Sequence, residues 1–242
     1  MLVINADDFG LSARLTNRII ECFKAKKITT TSAMVFMADS KRAAKLALTQ
    51  GIEVGLHLNF AEAFSDISLN KILWLSHGQI VTFLTKRKYN QLLFNPLLIN
   101  HFRSDFINQY QEFARIYMKN PAHINGHHHL HLCLNMLLSQ IIPKGCKVRP
   151  SFSFEHTEKS VLNILYRKMV NAWLGHRYRC PDFFYSIAPL NAHRLKRIVA
   201  LSRTKNVELM VHPNRDQEFS FLMSKEFDYL IRDIPLGGYI KL

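Results

Sequence analysis

The chain has 242 residues, of which 48% are hydrophobic and 21% charged. That balance excludes a disordered polymer and suits one sizeable α/β domain spanning residues 1–242. Its formal net charge is +14, yet the basic residues are scattered and form no familiar nucleic-acid motif, so no nucleic-acid partner is expected.

Charge of that sign suits peripheral contact with an anionic membrane, and the sequence leaves a homodimer open. No stretch reaches the roughly 18 unbroken apolar residues of a membrane span. The opening "MLVINADDFG" lacks the basic-then-apolar order of a signal peptide, so a cytoplasmic location is expected. Cys22, Cys133, Cys146 and Cys180 are widely spread and read as free thiols.

In chain order, "LVINADD" is a short apolar run ending in carboxylates, a buried strand. Ser12 is placed to cap a helix over 13–26 with Leu15, Ile19, Ile20 and Phe23 at helical spacing. "TTTSAMVF" reads as a second strand, 40–50 as a helix closed by Gly51, and "EVGLHLNF" as a third strand. Residues 61–100 break the rhythm and read as an insertion of loops and short helices. A helix resumes over 101–118, with Phe102, Phe106, Phe113 and Tyr117 as its buried stripe. "AHING" then predicts a strand and 132–142 a helix. "CKVRPSF", "FFYSIA" and "NVELMVHPN" are further strands, with helices over 159–175, 191–203 and 224–234.

Seven strands alternating with helices predict a distorted (β/α) TIM-like barrel of parallel strands, with an open doubly wound sheet as the alternative. In either architecture functional residues gather at the C-terminal ends of strands. "NADD", "GLHLN", "NGHHHLH" and "VHPN" each end a strand, so all four should converge.

Each has an ordinary explanation as well as a chemical one. Adjacent acids are common on surface loops, but Asp7 and Asp8 end a buried strand, where charge is costly unless paired or ligating. His57 alternates with Gly55 and Asn59, a small and polar face that suits a site. His127, His128, His129 and His131 crowd five positions, and alternate residues of a strand end diverge. One or two of them at most can reach a single ion. His212 precedes Pro213, which stops the strand at the barrel mouth. Two histidines and a carboxylate make a hydrolytic metal site. The parts are Asp7 or Asp8 with His57 and one of the cluster, the other Asp as base, and His212 as acid.

"NADDFGLS", "GLHLN", "GHHHLHL" and "ELMVHPN", in that order, resemble the YdjC-like carbohydrate deacetylases, which include chitooligosaccharide and hopanoid-associated deacetylases. The resemblance implies a distorted (β/α) barrel that hydrolyses an N-acetyl group from an amino sugar around one divalent metal ion, Mg2+ by the family's habit or Zn2+ by the two imidazole ligands, and the +14 charge with Phe-rich segments such as "FLTKRKYNQLLF" suits a lipid-linked substrate. It implies Asp8, His57 and His127 as metal ligands, Asp7 as general base and His212 as the acid that protonates the leaving amine. Arg149 in "VRP", His129 and Asn59 would contact substrate, while Asn125 and His131 would support the ligands from behind. Relatives commonly carry "DSHHH" where this chain has "NGHHH", so Asn125 stands in place of an acid. Another metal-dependent amide or ester hydrolase on the same barrel, and a catalytically lapsed glycan- or membrane-surface-binding protein, are the alternatives.

Overall fold

The computed structural model describes residues 1–65, 71–87, 89–154 and 158–242. Parts of the insertion expected at 61–100, namely 66–70 and Lys88, lie outside the described residues.

Six parallel strands form one sheet in the order β4-β3-β2-β1-β6-β5. They are β1 (Leu2–Phe9), β2 (Thr30–Ala33), β3 (Val54–Leu58), β4 (Ile124–Gly126), β5 (Phe183–Ser186) and β6 (Val207–Val211). β1 lies centrally and is buried along its whole length, as an apolar run covered on both faces must be. The helices between strands carry the crossovers. The helix α1 (Ala13–Lys24) starts where the Ser12 hydroxyl accepts from the Leu15 amide and buries Leu15, Ile19 and Ile20. The helix α2 (Ser40–Gln50) ends at Gly51, whose left-handed backbone (φ 65°) suits a residue without a Cβ.

The expected seventh strand does not form. Within "CKVRPSF" only single bridges exist, Ile124 with Val148 and Lys147 with Arg179. Further along, the Ser153 amide donates to the Phe184 carbonyl (2.8 Å). Pro150 has no N–H to give a ladder, so this segment spans the opening between edge strands β4 and β5 without joining the sheet. The result is a curled, six-stranded, incomplete barrel.

Two further expectations are corrected. The insertion contains a full helix, α3 (Lys71–Lys86), in "KILWLSHGQIVTFLTK". Its apolar residues occur around most of the helix, which hides the 3.6-residue period. It packs on α4 (Ile99–Tyr117), whose stripe of Phe102, Phe106, Phe113 and Tyr117 is buried as expected. The helix expected at 132–142 shrinks to α5 (Leu134–Leu138), preceded by a tight turn over His127–Leu132. Beyond β4 come α6 (Val161–Arg177), α7 (Ala192–Leu201), α8 (Asp216–Leu222) and α9 (Lys225–Ile231). Among the described residues no helix is long and apolar enough to cross a membrane, and the four cysteines are free.

Candidate metal centre

The four strand ends converge. Asp7 and Asp8 (C-terminal end of β1), His57 (β3), His127 to His129 (after β4) and His212 (after β6) line one cavity of about 460 Å³. Its remaining walls include Phe152, Met210 and Arg215.

Adjacent acids in a regular strand would point apart. Here the pairing of β1 with β2 shifts register between Ala6 and Phe9, and Asp8 takes φ 67°. That backbone, unusual for a residue with a Cβ, lets both carboxylates reach the same cavity. The histidine turn uses the same device: His128 and His129 have φ 51° and 58°. Gly126 makes the fold-back possible, because a Cβ there would sit 3.0 Å from the His131 amide nitrogen and 3.1 Å from its Cβ.

Asp8, His57 and His127 bring one ligand atom each within 4.8 Å of one another. Asp8 Oδ1 lies 2.7 Å from His127 Nδ1 and 3.0 Å from His57 Nε2. All three are mostly buried. Burial raises the Asp8 carboxyl, but the hydrogen bond from His127 and the close imidazoles of His127 and His57 outweigh it and hold Asp8 ionised. His57 Nε2 is buried and makes no hydrogen bond of good geometry, an orphan that a cation would satisfy. A carboxylate with two imidazoles fits Zn2+ or another first-row divalent ion. A more exposed group, Glu62, His127 and His128, shares His127.

Asp7 stands beside these ligands and is tied from behind. Arg149 Nη1 and Nη2 donate to its two oxygens at 2.6 and 2.7 Å, Asn5 Nδ2 donates at 2.7 Å and Ser32 Oγ at 3.0 Å. Burial alone would raise the Asp7 carboxyl; the Arg149 guanidinium reverses this and holds it far below the usual carboxylate range. Arg149 is itself fully buried and also donates to Glu208 Oε1 at 2.6 and 2.9 Å. The Tyr239 hydroxyl donates to the other Glu208 oxygen. Arg149 therefore does not touch the cavity: where substrate contact was expected, the side chain positions Asp7.

Asn59 is likewise displaced from its expected role. It is buried, accepts from the Ala61 and Glu62 amides and donates to the Glu62 carbonyl, so its side chain builds the turn after β3. It is absent from the cavity wall. His129 does line the cavity, edge-on to Phe152 with ring centroids 4.5 Å apart. His131 points inward, its Nε2 donating to the Arg149 carbonyl at 3.0 Å. Burial pushes His131 down to about 3, and burial with Arg149 nearby lowers His129 strongly, so both rings are neutral at pH 7. Among the described residues His212 Nδ1 has no hydrogen-bond partner; Glu218 Oε2 lies 3.9 Å away and accepts from the His212 backbone amide at 2.8 Å.

Glu208, Glu218 and Ser32 escaped sequence reasoning. Glu208 had a signal, an acid inside the apolar run "VELMV", where burial demands a cationic partner.

The YdjC-like protein family matches residues 1–233. The chain belongs to that family. A carbohydrate deacetylase of Xenopus laevis is 30% identical over 88% of this chain and 80% of its own length. A chitooligosaccharide deacetylase of Serratia marcescens is 28% identical over 54% of this chain, and one of Yersinia pestis 30% over 59%. These matches span about half the length of the two bacterial proteins, 51% and 53%. Among solved structures, a candidate cellobiose-phosphate cleavage protein from Enterococcus faecalis superposes with a TM-score of 0.68 at 21% identity. It covers 99% of this chain and 97% of its own, and shows that the two share a fold.

Asn125 occupies the buried position between His57 and Arg149, and its amide meets conflicting demands. In one orientation its oxygen accepts from His57 Nδ1 (2.7 Å), which frees Nε2 for a cation. The amide nitrogen then faces the Arg149 guanidinium, donor against donor. In the other, the oxygen accepts from Arg149 at 2.9 and 3.2 Å and the nitrogen donates to His57 Nδ1 at 2.7 Å. That places the ring hydrogen on Nε2 and blocks the ligand position. A carboxylate could accept from both neighbours at once. Asn125→Asp should therefore tighten Zn2+ or Mn2+ binding by about 10–100-fold, the usual scale of groups that orient a ligand. Titration calorimetry checks it; equal affinities would remove the amide conflict from the account.

Proposed function

We propose that this protein is a metal-dependent hydrolase that removes N-acetyl groups from an amino-sugar-containing carbohydrate or glycolipid. The observation that carries the reading is the convergence of Asp8, His57 and His127 from three strand ends, with Asp7 and His212 on the walls of the same cavity. The names of the family relatives support the reaction class.

A divalent cation, Zn2+ or Mg2+, held by Asp8, His57 and His127 would acidify water and polarise the amide carbonyl. Asp7, held ionised by Arg149, takes the proton from the attacking water. His212, aimed into the cavity from the end of β6 and backed by Glu218, gives a proton to the departing amine. Phe152 supplies an apolar wall, and the neutral rings of His128 and His129 offer hydrogen bonds to the sugar. The expected cytoplasmic location belongs to this reading, with cytoplasmic glycans or glycolipid headgroups as substrates.

The test is acetate release from a panel of N-acetylated amino sugars, their oligomers and lipid-linked forms, run beside O-acetyl esters of the same sugars. Turnover of the amides above the esters is expected. Turnover of esters alone would replace the reading with that of an esterase on the same site.

A further inference from the structure

The helix α6 is turned the wrong way round for a soluble surface. Its buried residues are only Ile164 and Leu174, while Val161 (71% exposed), Leu162 (79%), Leu165 (53%), Tyr166 (42%) and Met169 (64%) face outward. Their spacing of one, four, five and eight places them on a single helical face, about 12 Å long at 1.5 Å per residue. Lone exposed apolar residues are ordinary, but a continuous stripe marks an interaction surface.

Charge says what covers it. From Lys159 to Pro181 the chain has five basic residues, Lys159, Arg167, Lys168, Arg177 and Arg179, and no acidic one. Arg167 is held against the rings of Phe152 and Phe154, 5.9 and 5.0 Å from their centroids, and donates to Ser151 Oγ and Asn163 Oδ1. Among the described residues no carboxylate pairs with it. A second copy of the chain would bring this cationic segment and a net charge of +14 against its like. An anionic bilayer meets both features: acyl chains take the apolar stripe and lipid phosphates the cations that border it, Lys159 and Lys168.

We propose that α6 is a membrane-contact helix that seats this protein on an anionic lipid surface. The placement also has a consequence for the catalytic cavity. Ile164, Arg167, Lys168 and Asn171 of α6 line a recess of about 240 Å³ whose wall includes Phe152, and Phe152 is also a wall of the metal cavity. The recess lies on the side of α6 turned away from the apolar stripe, so α6 borders the catalytic cavity through Phe152 on one side and presents the stripe on the other. The proposal stands independently of the deacetylase reading, because its readout is lipid binding.

The experiment is flotation of the full chain with vesicles of phosphatidylcholine alone and with 30% phosphatidylglycerol, at low and at high salt. A triple variant, Leu162→Glu, Leu165→Glu and Met169→Glu, is run in parallel, with far-ultraviolet circular dichroism and thermal unfolding as the check that the barrel stays folded. All three positions are exposed, so the fold should persist. Expected is flotation with anionic vesicles, at least tenfold weaker in the variant and weaker at high salt. Absence of flotation at low salt overturns the proposal, and so does equal flotation of the variant. A dimer in sedimentation that the variant breaks, without flotation, overturns it in favour of a second copy.

Discussion

Asp7→Asn is expected to slow acetate release by about 10²–10⁴-fold, the usual contribution of a positioned base, with little change in affinity for a divalent cation. The amide nearly preserves the volume of the carboxylate and can still accept from Arg149, but it cannot take a proton. Asp8, His57 and His127 are untouched, so cation binding should survive. A kcat loss with intact binding by calorimetry separates a base from a ligand. Loss of both would reassign Asp7 to the ligand set. Because Arg149 holds Asp7 ionised far below neutrality, protonation of Asp7 does not set the acid limb of the pH profile above about pH 4.

Arg149→Met is expected to cost about 3–5 kcal/mol of stability at pH 7, the scale for removing one member of a buried ionic group. The guanidinium is the shared partner of Asp7 and Glu208, both buried. Its loss leaves two carboxylates in the barrel interior without a cation. In the native chain Asp7 has a folded value below its unfolded one. Its stabilising contribution is therefore present above about pH 4 and fades as pH falls below that. In the variant the sign reverses, since unopposed burial raises both carboxyls. The variant should be least stable at neutral and alkaline pH and regain part of the loss as pH falls toward 5. Urea unfolding at pH 7.5 and pH 5 measures it, and a cost under about 1 kcal/mol at pH 7.5 would contradict the ionic account.

The sheet was largely legible because buried strands announce themselves. "LVINADD", "VGLHLN" and "VELMVH" are apolar runs ending in polar residues, and five of the seven expected strands are clear, with "AHING" reduced to the three residues of β4. The failure at "CKVRPSF" has a local cause, since Pro150 cannot donate to a ladder and Arg149 is committed to Asp7. The helix α3 was not legible because Ile72, Trp74 and Leu75 are apolar yet lie on its exposed face, which masks the 3.6-residue period. The convergence of the strand ends followed from barrel geometry. What sits behind them did not, because the Asp7–Arg149–Glu208–Tyr239 chain joins residues up to 232 positions apart along the sequence. That Arg149 and Asn59, expected at the substrate, are bonded to buried scaffold groups was hidden for the same reason: a polar residue near a site can face the site or the scaffold. Only the fold decides.

Cation content measured on the purified chain tests the central claim most directly, by elemental analysis after dialysis against Zn2+ and then buffer. Alanine variants of Asp8, His57 and His127 are measured alongside, with acetate release assayed on each. The account predicts about one ion per native chain, its loss in each variant, and acetate release that falls with the ion, stops with chelator and returns when the ion is restored. Full acetate release from a chain stripped of its ion, or an ion retained after all three ligands are replaced, would contradict it.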